Sequence, residues 1–571
     1  MSTNEIPRRT RVAIIGAGPG GLSCAIALKR QLNLVDFVIY EKGSEVGGTW
    51  RDNTYPGCSS DIQMSFFSLS TDLQDWKSSH GSQEDILEYW LRLARKYDLY
   101  PHVIFNHKVT SADWDPKANC YHIASEDVRI GKIEPIVTTA DVVISAIGVL
   151  ETPRFARIPG FDTFKGEVFH SARWNDKVEL RGKRVGVIGN GASATQFVPI
   201  ISQDPEVNVL QFCRTAHWLL PNIRHNHSSA RRWITRNVPP LRLLERWASF
   251  LQLEFLYTMV WSNSVTRWLF EKLLLGYLKY SSPKVYYTQL TPTFPLGCKR
   301  IIFDTGYTSA LHRPNLDLNW DGIEKIVENG VVTKKGETIP LDVLIFATGF
   351  AADVYPLKIR GPHQTIQDYY EESEGPQAYM GTTAPGFPNF FTIFGPNTGT
   401  GWTSVIYTNE IQINYTLQLI KPILDGTIQS IEVTKEATDA YNSKIHGRLE
   451  NTQYTQCSSW YRVGQEGKIV NIFPGYATLF WVWLRTPNWN HYTSVGADRC
   501  LRTKRIGQAI QGVVHTALAV GIVAGGAYYA YQVPVIEEAV QSGLRLAGDL
   551  LRGVIQSPFA RQYLGSFSDA L

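Results

Sequence analysis

Val12-Ala13-Ile14-Ile15-Gly16-Ala17-Gly18-Pro19-Gly20-Gly21-Leu22 is the stretch that decides the fold class. The four apolar residues read as a buried parallel strand, and G-x-G-x-x-G leads directly into a helical run, Leu22 to Leu28. In this arrangement Gly16 allows a tight turn, Gly18 lets backbone approach a pyrophosphate, and Gly21 lets the helix pack close to the sheet. The helix N-terminus offers free N–H groups and a partial positive charge to phosphate. A second apolar strand, Phe37-Val38-Ile39-Tyr40, ends in Glu41, 20 residues beyond Gly21. A carboxylate there can accept both hydroxyls of an adenosine ribose. A glycine-rich structural turn alone would leave Glu41 unexplained.

The pattern recurs. Val185-Gly186-Val187-Ile188 is a strand and Gly189-Asn190-Gly191-Ala192-Ser193-Ala194 a turn, with Ala in the third glycine position. The strand Val207 to Cys213 then ends in Arg214, again 20 residues past the turn. The charge at the ribose position has changed sign. A carboxylate repels a 2′-phosphate, whereas a guanidinium holds it in a bidentate fork. The first site reads as FAD and the second as NADPH, the alternative for Arg214 being a solvated charge at a strand end. Two further apolar strands, Asp141 to Gly148 and Asp342 to Gly349, read as the chain leaving the first domain and re-entering it. The expected fold is α/β, with two nested Rossmann-like dinucleotide-binding domains. The FAD domain spans 1–150 and 341–495, and the NADPH domain 151–340. A Trp-, Leu- and Tyr-rich stretch at about 224–292 reads as a helical insert capping the pocket and touching a membrane, or as an ordinary helical pair covering the sheet.

A chain of 571 residues, 44% hydrophobic and 19% charged, is long enough for two or three domains with sizeable cores. The net charge of +4 gives no argument for nucleic acid. The seven cysteines are scattered with none at C-x-x-C spacing, so no disulfide framework and no metal site is expected, and a reducing compartment fits. The N-terminus carries no apolar signal segment. Residues 506–536 contain no Asp, Glu, Lys or Arg. Arg499, Arg502, Lys504 and Arg505 precede this stretch, and Glu537 and Glu538 follow it. It reads as a C-terminal hydrophobic helix that spans a bilayer, in preference to lying on its surface, and holds the protein on a membrane with the catalytic part cytosolic. A packed glycine-rich helix is the alternative, and 537–571 is the tail.

Between the two glycine-rich turns lies Phe164-Lys165-Gly166-Glu167-Val168-Phe169-His170-Ser171-Ala172-Arg173-Trp174-Asn175. It resembles the F-x-G-x-x-x-H-x-x-x-W-P/D motif of Baeyer–Villiger monooxygenases, with Asn175 departing at the last position and Asp176 one residue late. Gly47-Gly48-Thr49-Trp50, Tyr55-Pro56-Gly57-Cys58-Ser59-Ser60-Asp61, Gly297-Cys298-Lys299-Arg300, Phe394-Gly395-Pro396-Asn397 and Ser458-Ser459-Trp460-Tyr461 are similar to further blocks of that family, so the likeness runs from about 10 to 490. The resemblance implies an FAD-dependent, NADPH-consuming monooxygenase that uses O2 and a flavin peroxide to turn a lipophilic ketone into an ester or lactone. It implies Arg300 and Asp61 as the catalytic pair, and a role for His170 in coupling the domains. It also implies flavin-side contacts from Gly48, Thr49, Trp50, Ser59, Ser60, Asp61, Phe67 and Val109, with Phe67 standing where many members have Tyr. On the nicotinamide side it implies Gly189, Asn190, Gly191, Ala192, Ser193, Ala194, Thr195, Gln196, Arg214, Thr215 and Lys299. The alternatives on the same scaffold are oxygenation of N or S, and a flavoprotein dehydrogenase that avoids O2.

Overall fold

The computed structural model describes residues 8–129, 138–496 and 500–508, with scattered positions beyond. The chain forms two units, Met1–Asp498 and Arg499–Leu571.

The larger unit is built on two sheets. In the first, the strand Arg8–Ile15 lies between Phe37–Tyr40 and Thr138–Ser145, parallel to both, with Ala13 opposite Val38 and Val143. Val103–Ile104 extends the sheet beyond Phe37–Tyr40. Cys120–Asp127 pairs antiparallel with Thr138–Ser145 and with His107–Asp115. Two strands from late in the chain complete it: Lys358–Arg360 beside His107–Asp115, and Phe390–Thr392 beside Thr138–Ser145. Ala13, Val38, Tyr40, Val109, Val143 and Phe390 belong to one buried core.

The second sheet is fully parallel, in the order Leu316–Asn319, Asn208–Phe212, Arg184–Ile188, Val343–Phe346, Glu167–His170. This corrects one reading of the sequence. Val343–Phe346 does not re-enter the first sheet; its four apolar residues fill the gap between Arg184–Ile188 and Glu167–His170. The chain returns only after it, through Gly349. An apolar strand buried on both faces looks the same in either sheet, so composition alone could not assign it.

The two crossings between the sheets run side by side. Pro153 and Phe350 form an antiparallel bridge, Arg154 N donates to Gly349 O at 2.8 Å, and Ala351 N donates to Thr152 O at 2.9 Å. Gly148 (φ +73°) and Gly349 (φ +81°) sit at corresponding points in left-handed backbone. His170 is buried at the end of its strand, with its ring 5.3 Å from that of Phe155 and 6.1 Å from that of Phe350, one on each crossing. Burial pushes this imidazole down to about 4, with Arg173 adding to the effect, so it stays neutral.

Helices Ser229–Asn237, Pro239–Tyr257 and Ser264–Ser281 lie between the strands Asn208–Phe212 and Leu316–Asn319. Ser228 and Asn263 cap the first and third through their side-chain oxygens. The long buried helix Val405–Leu424 packs against Pro19–Leu32, behind the first sheet.

Cys298 and Cys457 are joined in a disulfide with Cα atoms 6.2 Å apart. This corrects the expectation drawn from cysteine spacing. The partners are 159 residues apart in sequence and meet only through the fold. Among the described residues no cluster could hold a metal ion, and no helix is long and apolar enough to cross a membrane. The stretch 506–536 and the tail 537–571 lie largely outside the described residues.

Candidate active site

Both glycine turns have the geometry a pyrophosphate needs. Gly16 (φ +103°) and Gly189 (φ +112°) stand in left-handed backbone, and a Cβ on either would press within 2.8 and 2.5 Å of the carbonyl oxygens of Ala146 and Ala347. A Cβ on Gly21 would sit 1.9 Å from Gly16 O, so only glycine fits there. Around Gly191 the space is open, with nothing within 4 Å of a Cβ. The helices Pro19–Leu32 and Ala192–Ile201 both start at glycines that make no side-chain cap, which leaves their first N–H groups for a ligand.

Glu41 is buried at the end of its strand. Its Oε2 accepts from Ala17 N at 2.8 Å, and its Oε1 accepts from Gly43 N at 2.7 Å and Arg51 Nη1 at 2.8 Å. The carboxylate is therefore fixed against the turn that precedes it. Gly48 (φ +52°) starts the short helix Thr49–Asp52 against Gly18, and Trp50 meets Phe67 edge-on at 5.7 Å. Val109 lies in the core of the first sheet.

The loop from Tyr55 to Asp61 joins the two halves. Tyr55 Oη donates to Gln196 Oε1 at 3.0 Å, and Gln196 Nε2 donates to Ser59 O at 3.2 Å. Ser60 is buried and donates to Ile62 O. Asp61 lies between two guanidiniums. Arg300 Nη2 is 3.7 Å from its Oδ2, and Arg300 Nη1 donates to Gly401 O at 2.9 Å. Arg224 is closer, donating to Asp61 Oδ1 at 2.9 Å and to Ser59 Oγ at 2.6 Å. Sequence reading identifies the Asp61–Arg300 pair and misses Arg224. The only sequence cue to Arg224 is an arginine three residues after Pro221, at the mouth of the helical stretch.

At the second turn, Asn190 Nδ2 donates to Thr215 O at 2.9 Å. Thr195 donates to Ala192 O, and Ala192, Ser193 and Ala194 form the first turn of the helix. Lys299 Nζ donates to Thr215 Oγ1 at 3.0 Å and lies over the Phe294 ring. Arg214 donates to Gln465 at 2.9 Å. Burial pushes the Lys299 ammonium down to about 8, with the Arg214 guanidinium adding to the effect. His217, pushed down to about 3 by burial and then by both cations, adds no charge. Neither Arg214 nor Lys299 has a carboxylate partner among the described residues. Two neighbouring cations without a counter-ion fit a phosphate dianion.

A third element was not read from the sequence. Thr400, Thr403, Ser404 and Asn409 are buried, and each has a side-chain oxygen with no hydrogen-bond partner among the described residues. Ser404 precedes the helix Val405–Leu424 without capping it, and Asn409 lies beside Gly20. Buried polar atoms and a helix start left open beside the first glycine turn fit the polar edge of a flavin ring. The signal was present as Thr398-Gly399-Thr400-Gly401-Trp402-Thr403-Ser404, a run of small hydroxyl residues directly before a helix.

The profile of the flavin-binding monooxygenase-like family matches residues 9–358. An FAD-binding monooxygenase named ktnD from Aspergillus niger is 32% identical over 566 residues, covering 94% of this chain and 92% of its own. A Baeyer–Villiger monooxygenase from Pseudomonas aeruginosa is 35% identical, covering 84% and 91%. Among solved structures, OTEMO in complex with FAD and NADP superposes with a TM-score of 0.75 at 26% identity, over 85% of this chain and 99% of its own. A cyclohexanone monooxygenase from Rhodococcus shares the fold, with a TM-score of 0.76 at 24% identity over 86% of this chain and all of its own. The chain therefore belongs to the flavin-binding monooxygenase-like family, and it has Baeyer–Villiger monooxygenases among its relatives in sequence.

Proposed function

We infer that this protein is an FAD-containing Baeyer–Villiger monooxygenase that consumes NADPH and O2. The overall reaction is ketone, O2, NADPH and a proton to ester or lactone, NADP+ and water. The observation that carries this reading is the Asp61 carboxylate between Arg300 and Arg224, on the loop that joins the two glycine turns. The residues of the first turn with Glu41, Gly48, Thr49, Trp50, Ser59, Ser60, Phe67 and Val109 hold FAD, and Thr400, Thr403, Ser404 and Asn409 face its polar edge. The second turn with Thr195, Gln196, Arg214, Thr215 and Lys299 holds NADPH. The FAD domain comprises 1–150 with the residues after Gly349, and the NADPH domain the residues between.

When bound, FAD supplies the redox chemistry, taking a hydride from NADPH and passing one atom of O2 to the substrate. Arg300 provides a positive charge for the negative charge that develops at the carbonyl oxygen. Asp61 and Gly401 O hold that guanidinium in place. Arg224 fixes Asp61 in turn through Oδ1, leaving Oδ2 toward Arg300. Product analysis with labelled O2 and a panel of lipophilic ketones tests the reaction. Label in an ester supports it, label on N or S alone moves the protein to another oxygenation, and no label marks a dehydrogenase.

Two predictions concern the nicotinamide. NADPH is preferred over NADH by roughly tenfold or more, since a charged hydrogen bond contributes about 1.5–3 kcal/mol. Arg214→Ala reduces the preference through KM for NADPH alone, and equal use of both cofactors by the parent enzyme removes the role given to Arg214. The second follows from Lys299, whose ammonium is charged below about 8 and neutral above. KM for NADPH therefore rises between pH 7 and pH 9 while KM for NADH does not, and Lys299→Arg removes the rise. A flat KM for NADPH across that window contradicts the assignment.

We also propose that 506–536 holds the protein on a membrane with the catalytic unit cytosolic, supported by its lack of charged residues and the basic residues before it. Recovery of the full chain in the supernatant after high-speed centrifugation without detergent overturns this.

A further inference from the structure

Surface helices of a water-soluble fold turn apolar residues inward and charge outward. Two helices of this protein turn apolar residues outward as well. Along Pro239–Tyr257 the buried side is Arg246, Ser249, Phe250 and Tyr257. The opposite face carries Leu244, Trp247, Leu251 and Phe255, between 55% and 63% exposed. The charged residues of this helix are all engaged elsewhere. Arg242 donates to Leu73 O and Thr235 O, and Glu245 pairs with Arg231. Arg246 pairs with Glu410, and Glu254 accepts from the backbone of Ala477 and Thr478. Along Ser264–Ser281, where Leu274 and Leu278 are buried, Val265, Trp268, Leu269 and Leu273 are between 48% and 71% exposed. Lys272 and Lys279 are exposed among them, with Lys272 Nζ 5.9 Å from the centre of the Trp268 ring.

Charge and apolar surface coincide here. Most arginines of the stretch 224–292 are engaged by carboxylates or backbone carbonyls, and its exposed lysines are Lys272, Lys279 and Lys284. Exposed tryptophans and leucines flanked by cations whose stems can lie along apolar surface match the chemistry of a bilayer interface with anionic headgroups.

We propose that the exposed faces of Pro239–Tyr257 and Ser264–Ser281 seat the enzyme on an anionic membrane surface. The inference deepens the membrane reading given to 506–536 but rests on different residues, and the two can be told apart. Trp489 is the last tryptophan of the chain, so tryptophan fluorescence reports on the body and not on the tail.

The full-length holoenzyme is mixed with vesicles of phosphatidylserine and brominated phosphatidylcholine. Fluorescence is expected to be quenched, less so in high salt. Trp247→Phe with Trp268→Phe keeps the apolar faces and should still bind, with the quenching largely lost. Leu251→Glu with Phe255→Glu should lower vesicle association about tenfold or more, because charge replaces the inserted residues. An unchanged flavin absorbance spectrum shows that each variant is folded. Vesicle binding without tryptophan quenching overturns the proposal while leaving the tail as the anchor. No binding at all overturns both. If the glutamate variants change the oligomeric state in solution and not vesicle binding, the faces are an interface between copies and the proposal is wrong.

Discussion

Arg300→Ala is expected to purify folded and yellow, yet form ester some hundreds-fold more slowly than the parent. Removing one preorganised charge stabiliser from a reacting centre costs about 10²–10³ in rate. The side chain is partly buried, touches Asp61 and Gly401 O, and lies outside both glycine turns, so FAD binding should survive its loss. Rapid-mixing experiments that start from the reduced enzyme, with O2 and ketone added, separate product formation from flavin reduction. Reduction by NADPH is expected to slow as well, because Lys299, the adjacent residue, is proposed to hold NADPH. Near-normal ester formation would falsify the role assigned to Arg300.

Asp61→Ala is expected to be as damaging, for a different reason. The carboxylate is the only acidic group in ion-pair contact with Arg224 and Arg300 among the described residues, and it and Arg224 are each about 15% exposed. Its removal leaves two partly buried cations facing one another. Breaking a buried pair from one side costs about 3–5 kcal/mol, so a lower Tm should accompany the loss of turnover. Arg224→Ala leaves Asp61 paired with Arg300, and the expected loss is nearer tenfold. If Arg224 acts through Asp61, the double variant is no slower than Asp61→Ala alone. Multiplying losses would instead give Arg224 its own contact with substrate or cofactor. Thermal unfolding and kcat/KM on the four proteins of the cycle decide between these outcomes.

What could be read from the sequence was what chemistry fixes locally. Gly21 is constrained by Gly16 O, five residues before it, so the turn announces itself in eleven letters. The change from Glu41 to Arg214 at equal spacing is the sequence cue that sets the two nucleotide readings apart. The Asp61–Arg300 pair was legible through resemblance, not through spacing. Arg224 was not, because it reaches Asp61 from 163 residues away, out of a stretch whose composition speaks of helices and not of chemistry. The disulfide was hidden in the same way, by 159 residues of intervening chain. The strand Val343–Phe346 was recognised as a strand but placed in the wrong sheet, since β pairing is a long-range decision that four apolar residues do not encode.

The paired crossings at Pro153 and Phe350 have a mechanical meaning. Two tethers bridged to each other behave as one short ribbon, and a ribbon resists stretching and shear far more than twisting. Rotation about the line of these tethers is therefore what they resist least, with Gly148 and Gly349 absorbing the torsion. His170 rests on an aromatic ring of each tether and would feel that rotation as a change in its packing. Tyr55 with Gln196, and Asp61 with Arg224 and Arg300, lie across the same divide. The Cys298–Cys457 disulfide is a further, covalent link across that divide, two residues from Arg300, so it limits how far such a rotation can open the charge cluster.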